Sequence, residues 1–178
     1  MTVAGLALDA SNRSPIILLR DSSGRRQVPI SIDHAQAHNI VSGFQQSHKQ
    51  HPLSHDLMVS ILEAGNLQLE RIIFHEIKGN TFQAVIKLRL KKLTNENSKD
   101  DTHDLVEIEA RPSDAIALAV RTKCTIWMLE KVVAEASIPV DEEADAEDQD
   151  QFRRFLDDVR PADLIRHLKS NESNDNPY

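Results

Sequence analysis

Cysteine is almost absent. Cys124 is the only one in 178 residues, so no internal disulfide can form, and the chain suits a reducing compartment. Aromatic residues are scarce at 4%, so the 40% apolar share has to build an aliphatic core. A chain of this length buries about 70% of its unfolded surface, enough for one domain with appendages. No apolar run approaches the ~20 residues of a membrane span, and no signal-peptide pattern opens the sequence, so the expectation is a cytoplasmic protein with no membrane partner. A P-loop, a G-x-G-x-x-G run, a C-x-x-C pair and a G-x-S-x-G elbow are all missing, which excludes the classes those motifs mark. There is no basic excess either. Residues 1–140 carry 16 basic and 16 acidic side chains, and residues 141–178 carry 5 and 12, so the tail holds the whole net charge of −7. A neutral body with an acidic tail differs from a dedicated high-affinity DNA binder.

What is present centres on residues 105–122. Leu105-Val106-Glu107-Ile108-Glu109-Ala110 alternates apolar and acidic residues, as a half-buried strand does. Arg111-Pro112-Ser113-Asp114 breaks that strand. Proline pre-sets the backbone of a first helical turn, and an acidic residue suits the positive helix end. An alanine-rich helix then runs through Thr122. Small side chains let it sit close on a sheet.

Upstream, Val3–Leu8, Ile16–Arg20 and Arg25–Ile32 read as an antiparallel meander. Asp33 caps a helix through about Gln46, with Ala37, Ile40, Val41 and Phe44 as its core stripe. Ser54 caps a second helix, which presents Leu57, Met58, Ile61 and Leu62 as its apolar face and ends at Gly65. Leu67–Ile77 and Thr81–Leu90 form a hairpin across Lys78-Gly79-Asn80. A polar loop follows over Lys91–His103, then the central stretch, a short strand Thr125–Leu129 and a helical turn Lys131–Ala136. The expected organisation is one α+β domain over residues 1–138, a largely antiparallel sheet packed by helices. An acidic helical extension over 139–169 and a disordered tail over 170–178 complete it.

The run IEARPSDAIALAVRT resembles the signature of the bifunctional nuclease domain family, where I-D-A-R-P-S-D-A-I-A-L-A is usual. Three further segments match in order: Val3–Asp9, Val28–Asp33 with Gln36-Ala37, and Ser54–Leu57 with Thr81-Phe82 downstream. Glu109 departs from the usual Asp, Ser54 from Thr, and Ser31 from a common aromatic. The resemblance implies a divalent-metal-dependent hydrolase that cleaves phosphodiester bonds in DNA or RNA, with nucleic acid as partner. In that expectation Glu109, Asp114 and Asp56 hold Mg²⁺ or Mn²⁺, His55 handles the proton, and Arg111 steadies the phosphate.

Each constellation also has a plainer reading. Ser54-His55-Asp56 suits proton transfer or metal binding, and equally a helix cap. Glu107 and Glu109 share a strand face, as metal ligands or as a solvated surface. Asp33 is a cap, and Gln36 one turn on would reach a ligand or a neighbouring chain. His34 and His38 have two-ligand spacing, yet with His48 and His51 they read as surface histidines. Lys87, Arg89 and Lys91 alternate on one strand face, where they would track a phosphate backbone or protect a sheet edge from aggregation. The alternative function is a non-catalytic regulatory or scaffold module that binds a small anion or a protein partner. A homo-oligomer is expected in either case.

Overall fold

The computed structural model describes residues 1–9, 13–44, 52–91, 105–140, 150 and 154. Of the extension expected over 139–169, residues 139, 140, 150 and 154 are described; the rest of it, the tail over 170–178, His48, His51 and residues 92–104 lie outside the described residues.

The fold is α+β, with two four-stranded sheets rather than the single one expected. The first contains β1 (Thr2–Leu8), β2 (Pro15–Arg20) and β3 (Arg26–Ser31), the anticipated meander. Its fourth strand is a two-residue β8 (Ile138–Pro139) that pairs antiparallel with β3. Val140 N–H donates to the Arg25 carbonyl at 3.1 Å, which extends this pairing by one residue. The second sheet has the order β6 (Leu105–Ala110), β5 (Thr81–Leu90), β4 (Leu67–Lys78), β7 (Thr125–Met128). Its pairs are antiparallel except β4 with β7, which is parallel because α3 (Pro112–Thr122) crosses over between β6 and β7. Gly79 and Asn80 turn the β4–β5 hairpin with φ of +55° and +64°, a conformation open to glycine and tolerated by asparagine.

Helix α3 is the centre of the core. Ser113, Ala115, Ile116, Ala117, Leu118 and Ala119 are all buried, because it packs on β4 and β5 on one side and on α1 (His34–Phe44) and α2 (Ser54–Ala64) on the other. The alanines permit these close approaches. Ile17, Leu19, Ile40, Ile72, Phe74, Leu88 and Ile116 fill the space between the sheets and helices. A short α4 (Glu130–Ala136) covers part of β4 and β3.

Three local expectations change. Asp33 does cap α1: its Oδ1 accepts from Gln36 N–H at 2.8 Å, and Gln36 Oε1 accepts from Asp33 N–H at 2.9 Å. At α2, however, the cap position belongs to Leu53, with Ser54 already in the first turn. Leucine has no side-chain acceptor, so one half of a capping box forms, in which Asp56 Oδ2 accepts from Leu53 N–H at 2.8 Å. Three of the four residues assigned to the apolar face of α2 are turned outward, and Leu62 alone faces inward. Leu57, Met58 and Ile61 are 54%, 43% and 60% exposed, while His55 is the buried residue. The inward stripe is His55, Val59 and Leu62, chosen by contact with α3. Finally, β5 is an internal strand, so Lys87 and Arg89 do not guard an edge. They pair with Glu107 at 2.6 Å and Glu70 at 3.1 Å on the open face of the sheet.

Candidate functional site

The joint between β6 and α3 is where the sequence concentrated its polar groups. Pro112 ends the strand pairing and starts the helix, leaving Arg111 at the cap position in an extended conformation. Arg111 is 74% exposed, and its Nε donates to Asp114 Oδ2 at 2.9 Å. Its two Nη groups make no hydrogen bond to protein among the described residues. The other oxygen of Asp114, Oδ1, meets His55 Nε2 at 3.2 Å. While that contact is kept, Nε2 carries the proton and donates it to the carboxylate. His55 is 5% exposed, and its Nδ1 is buried with no partner among the described residues. The chain of contacts therefore runs outward from buried His55, through Asp114, to an exposed guanidinium.

Asp56 faces elsewhere. Its Oδ1 accepts from Arg121 Nε at 2.5 Å, and its Oδ2 accepts from Leu53. Arg121 is 6% exposed and also donates from Nη1 to the carbonyls of Asn39 and Ala117, both at 2.9 Å. It ties α1, α2 and α3 together, and sequence reasoning missed it. The signal available was a lone cation in the last turn of a helix otherwise built from small apolar residues. Glu109 pairs in register with Val85, and by strand alternation its side chain lies on the sheet face away from α3. Thus the structure joins His55, Asp114 and Arg111, and it sets Asp56 and Glu109 apart from them. Among the described residues, no three His, Cys, Asp or Glu side chains come together as ligands for a metal ion.

The joint opens into a cleft of about 530 Å³. Residues 29–32 of β3 and its end, Gln36, Thr81 and Phe82, and residues 111–113 all line it. These residues belong to segments whose sequence pattern stood out, although they are dispersed over more than 80 positions. Asn80 and Glu135 join them, the latter from α4, with nothing in the sequence to mark it. A second, more open cleft of about 720 Å³ lies at the other end of α3, beside Lys123, Cys124 and Trp127. It contains none of the residues at the joint. Burial raises the Cys124 thiol above its ordinary range, against weaker help from Thr122, so it is not an activated nucleophile.

The family profile described as the bifunctional nuclease domain matches residues 17–141, from β2 to the end of the body. The chain belongs to that family. Two proteins of Mycobacterium tuberculosis, from strains CDC 1551 / Oshkosh and ATCC 25618 / H37Rv, are each 28% identical over 170 residues. The match covers 91% of this chain and 95% of each of theirs, and both are named only as uncharacterized proteins. In this bifunctional nuclease domain, no helix among the described residues is long and apolar enough to cross a membrane.

Proposed function

We propose that the protein binds nucleic acid at the cleft beside the β6–α3 joint and hydrolyses its phosphodiester bonds there. The observation that carries the reading is the exposed Arg111 guanidinium, held through Nε by a carboxylate that His55 buttresses from behind. Arg111 offers its outer fork to a phosphate and spreads the charge that develops on the oxygens. Asp114, 30% exposed beside it, takes the proton of an attacking water on a remaining lone pair, and the oxygen that leaves phosphorus takes its proton from solvent. His55 does not reach substrate. It fixes the orientation of Asp114, and through Asp114 that of Arg111. Asp56 supports the same site indirectly, by locking α2 against α3.

Mg²⁺ or Mn²⁺ held by Glu109, Asp114 and Asp56 does not fit this arrangement. Asp56 is held by Arg121 and Leu53, Asp114 by His55 and Arg111, and Glu109 sits on the far sheet face, so the three carboxylates do not converge on one ion. No step is routed through a metal. The same engagement favours a second reading, a static module that binds an anion or a partner without turnover. Labelled DNA and RNA incubated with and without Mg²⁺ or Mn²⁺, beside an Asp114→Ala protein from the same purification, separates the two. Cleavage lost in the variant supports the hydrolase, and no cleavage by the parent in any condition removes it. A homo-oligomer belongs to the proposal as well, because Leu57, Met58 and Ile61 present the apolar surface that an assembly would cover.

A further inference from the structure

We propose that the cleft beside the β6–α3 joint admits one unpaired nucleotide and excludes duplex, so that the substrate is single-stranded nucleic acid. The inference takes from the preceding reading only that the ligand is nucleic acid. Size is the first ground. At about 530 Å³ the cleft has room for one nucleotide, and a duplex, whose bases stay paired and stacked within the helix, presents no free base to fill it. The volume does fall within the range of small-ligand clefts.

Chemistry is the second ground. Phe82 stands in the wall, its ring held at right angles to Phe74 with centroids 6.4 Å apart. Ile32, Ile77 and Pro29 extend this apolar surface, which suits the flat face of a base. The polar groups for a phosphate lie at the joint, adjacent in the chain: the outer nitrogens of Arg111 and the hydroxyl of Ser113. Ser113 is 5% exposed, lines the cleft and makes no side-chain hydrogen bond among the described residues. Charge is the third ground. Arg111 is the one Lys or Arg in the lining, and Glu135 balances it. Such a cleft neutralises one phosphate, whereas duplex binding draws on many.

Fluorescence anisotropy with a 5′-labelled thymidine dodecamer tests this, alone and paired with its complement, in EDTA and again in Mg²⁺. Cleavage of both forms is followed in parallel. The single strand should bind at least tenfold more tightly than the duplex. Its log-affinity should fall with log salt at a slope of about −0.7, the value for one phosphate on a single strand. Phe82→Leu, checked for unchanged folding by circular dichroism, should weaken single-strand binding on the order of tenfold. Arg111→Gln should weaken it too, and flatten the salt slope. Duplex binding as tight as single-strand binding overturns the inference, as does single-strand binding indifferent to both substitutions. Equal cleavage of both forms overturns it while leaving the nuclease reading intact. Selective single-strand binding without cleavage in any metal condition does the reverse. Neither binding nor cleavage removes both.

Discussion

Replacing Asp56 by asparagine tests the view that its carboxylate serves Arg121. The amide oxygen can still accept from Leu53 N–H, so the start of α2 keeps its hydrogen bond, and only the charge is lost. Arg121 is then left 94% buried, with carbonyls of α1 and α3 as its remaining acceptors and one nitrogen, Nη2, already without a partner among the described residues. Removing one member of a buried ion pair typically costs 3–5 kcal/mol; because Asp56 is about one-third exposed, the low end applies, about 3 kcal/mol. For a body of this size that lowers the melting temperature by about 6–12 °C. Arg121→Met keeps the apolar stem and lets Asp56 rehydrate, so it should cost less, about 1–2 kcal/mol. In the methionine background, Asp56→Asn should then be nearly neutral. Urea denaturation of the parent, the two single variants and the double variant completes the cycle, with an expected coupling of about 3 kcal/mol. A single Asp56→Asn loss below about 0.5 kcal/mol, or an additive cycle, would refute the ion pair as the bond between α2 and α3.

Glu70 is held below its ordinary value of 4.5, first by the hydrogen bond from Arg71, against smaller desolvation, with Arg89 adding to it. A carboxyl depressed on folding stabilises the protein above that ordinary value and loses the effect as pH falls through its folded value. The denaturation midpoints of the parent and Glu70→Gln should therefore differ at pH 7 and converge in acid; a gap that persists in acid denies the linkage. A Cβ at Gly43 would lie 2.8 Å from Arg121 Nη1, which two carbonyls hold in place. Gly43→Ala gains about 1 kcal/mol of helix propensity against about 1–3 kcal/mol of overpacking, and the expected net loss is read by urea denaturation. His55→Gln should lower nucleic-acid affinity through Arg111 while any rise of cleavage rate with pH is kept, since His55 is proposed to orient Asp114 and not to meet substrate; loss of that acid limb would make it the proton acceptor instead. Light scattering should show a multimer that Ile61→Asp dissociates, and a monomeric parent would remove the assembly proposed at α2.

Much of the fold was legible in the sequence. Alternation marked the strands, Gly79-Asn80 marked the tight hairpin, and the proline after Arg111 marked the passage from β6 into α3, because these features act over a few residues. The family was legible for a similar reason: the matching segments are short, contiguous and in order. Tertiary structure decided which face of α2 is inside. Leu57, Met58 and Ile61 have ideal spacing for a core stripe, yet His55 and Asp56 each find a charged partner on α3, Asp114 and Arg121, and those two contacts turn the helix the other way. Burying a polar side chain is tolerable where its partner waits, and only the packed neighbour supplies one. The same holds for the site. Sequence picked out Arg111, Asp114 and His55 individually, but it placed Asp56 and Glu109 with them because proximity along the chain resembles proximity in space. Strand alternation sends Glu109 to the opposite face, and Arg121, 65 residues away, claims Asp56.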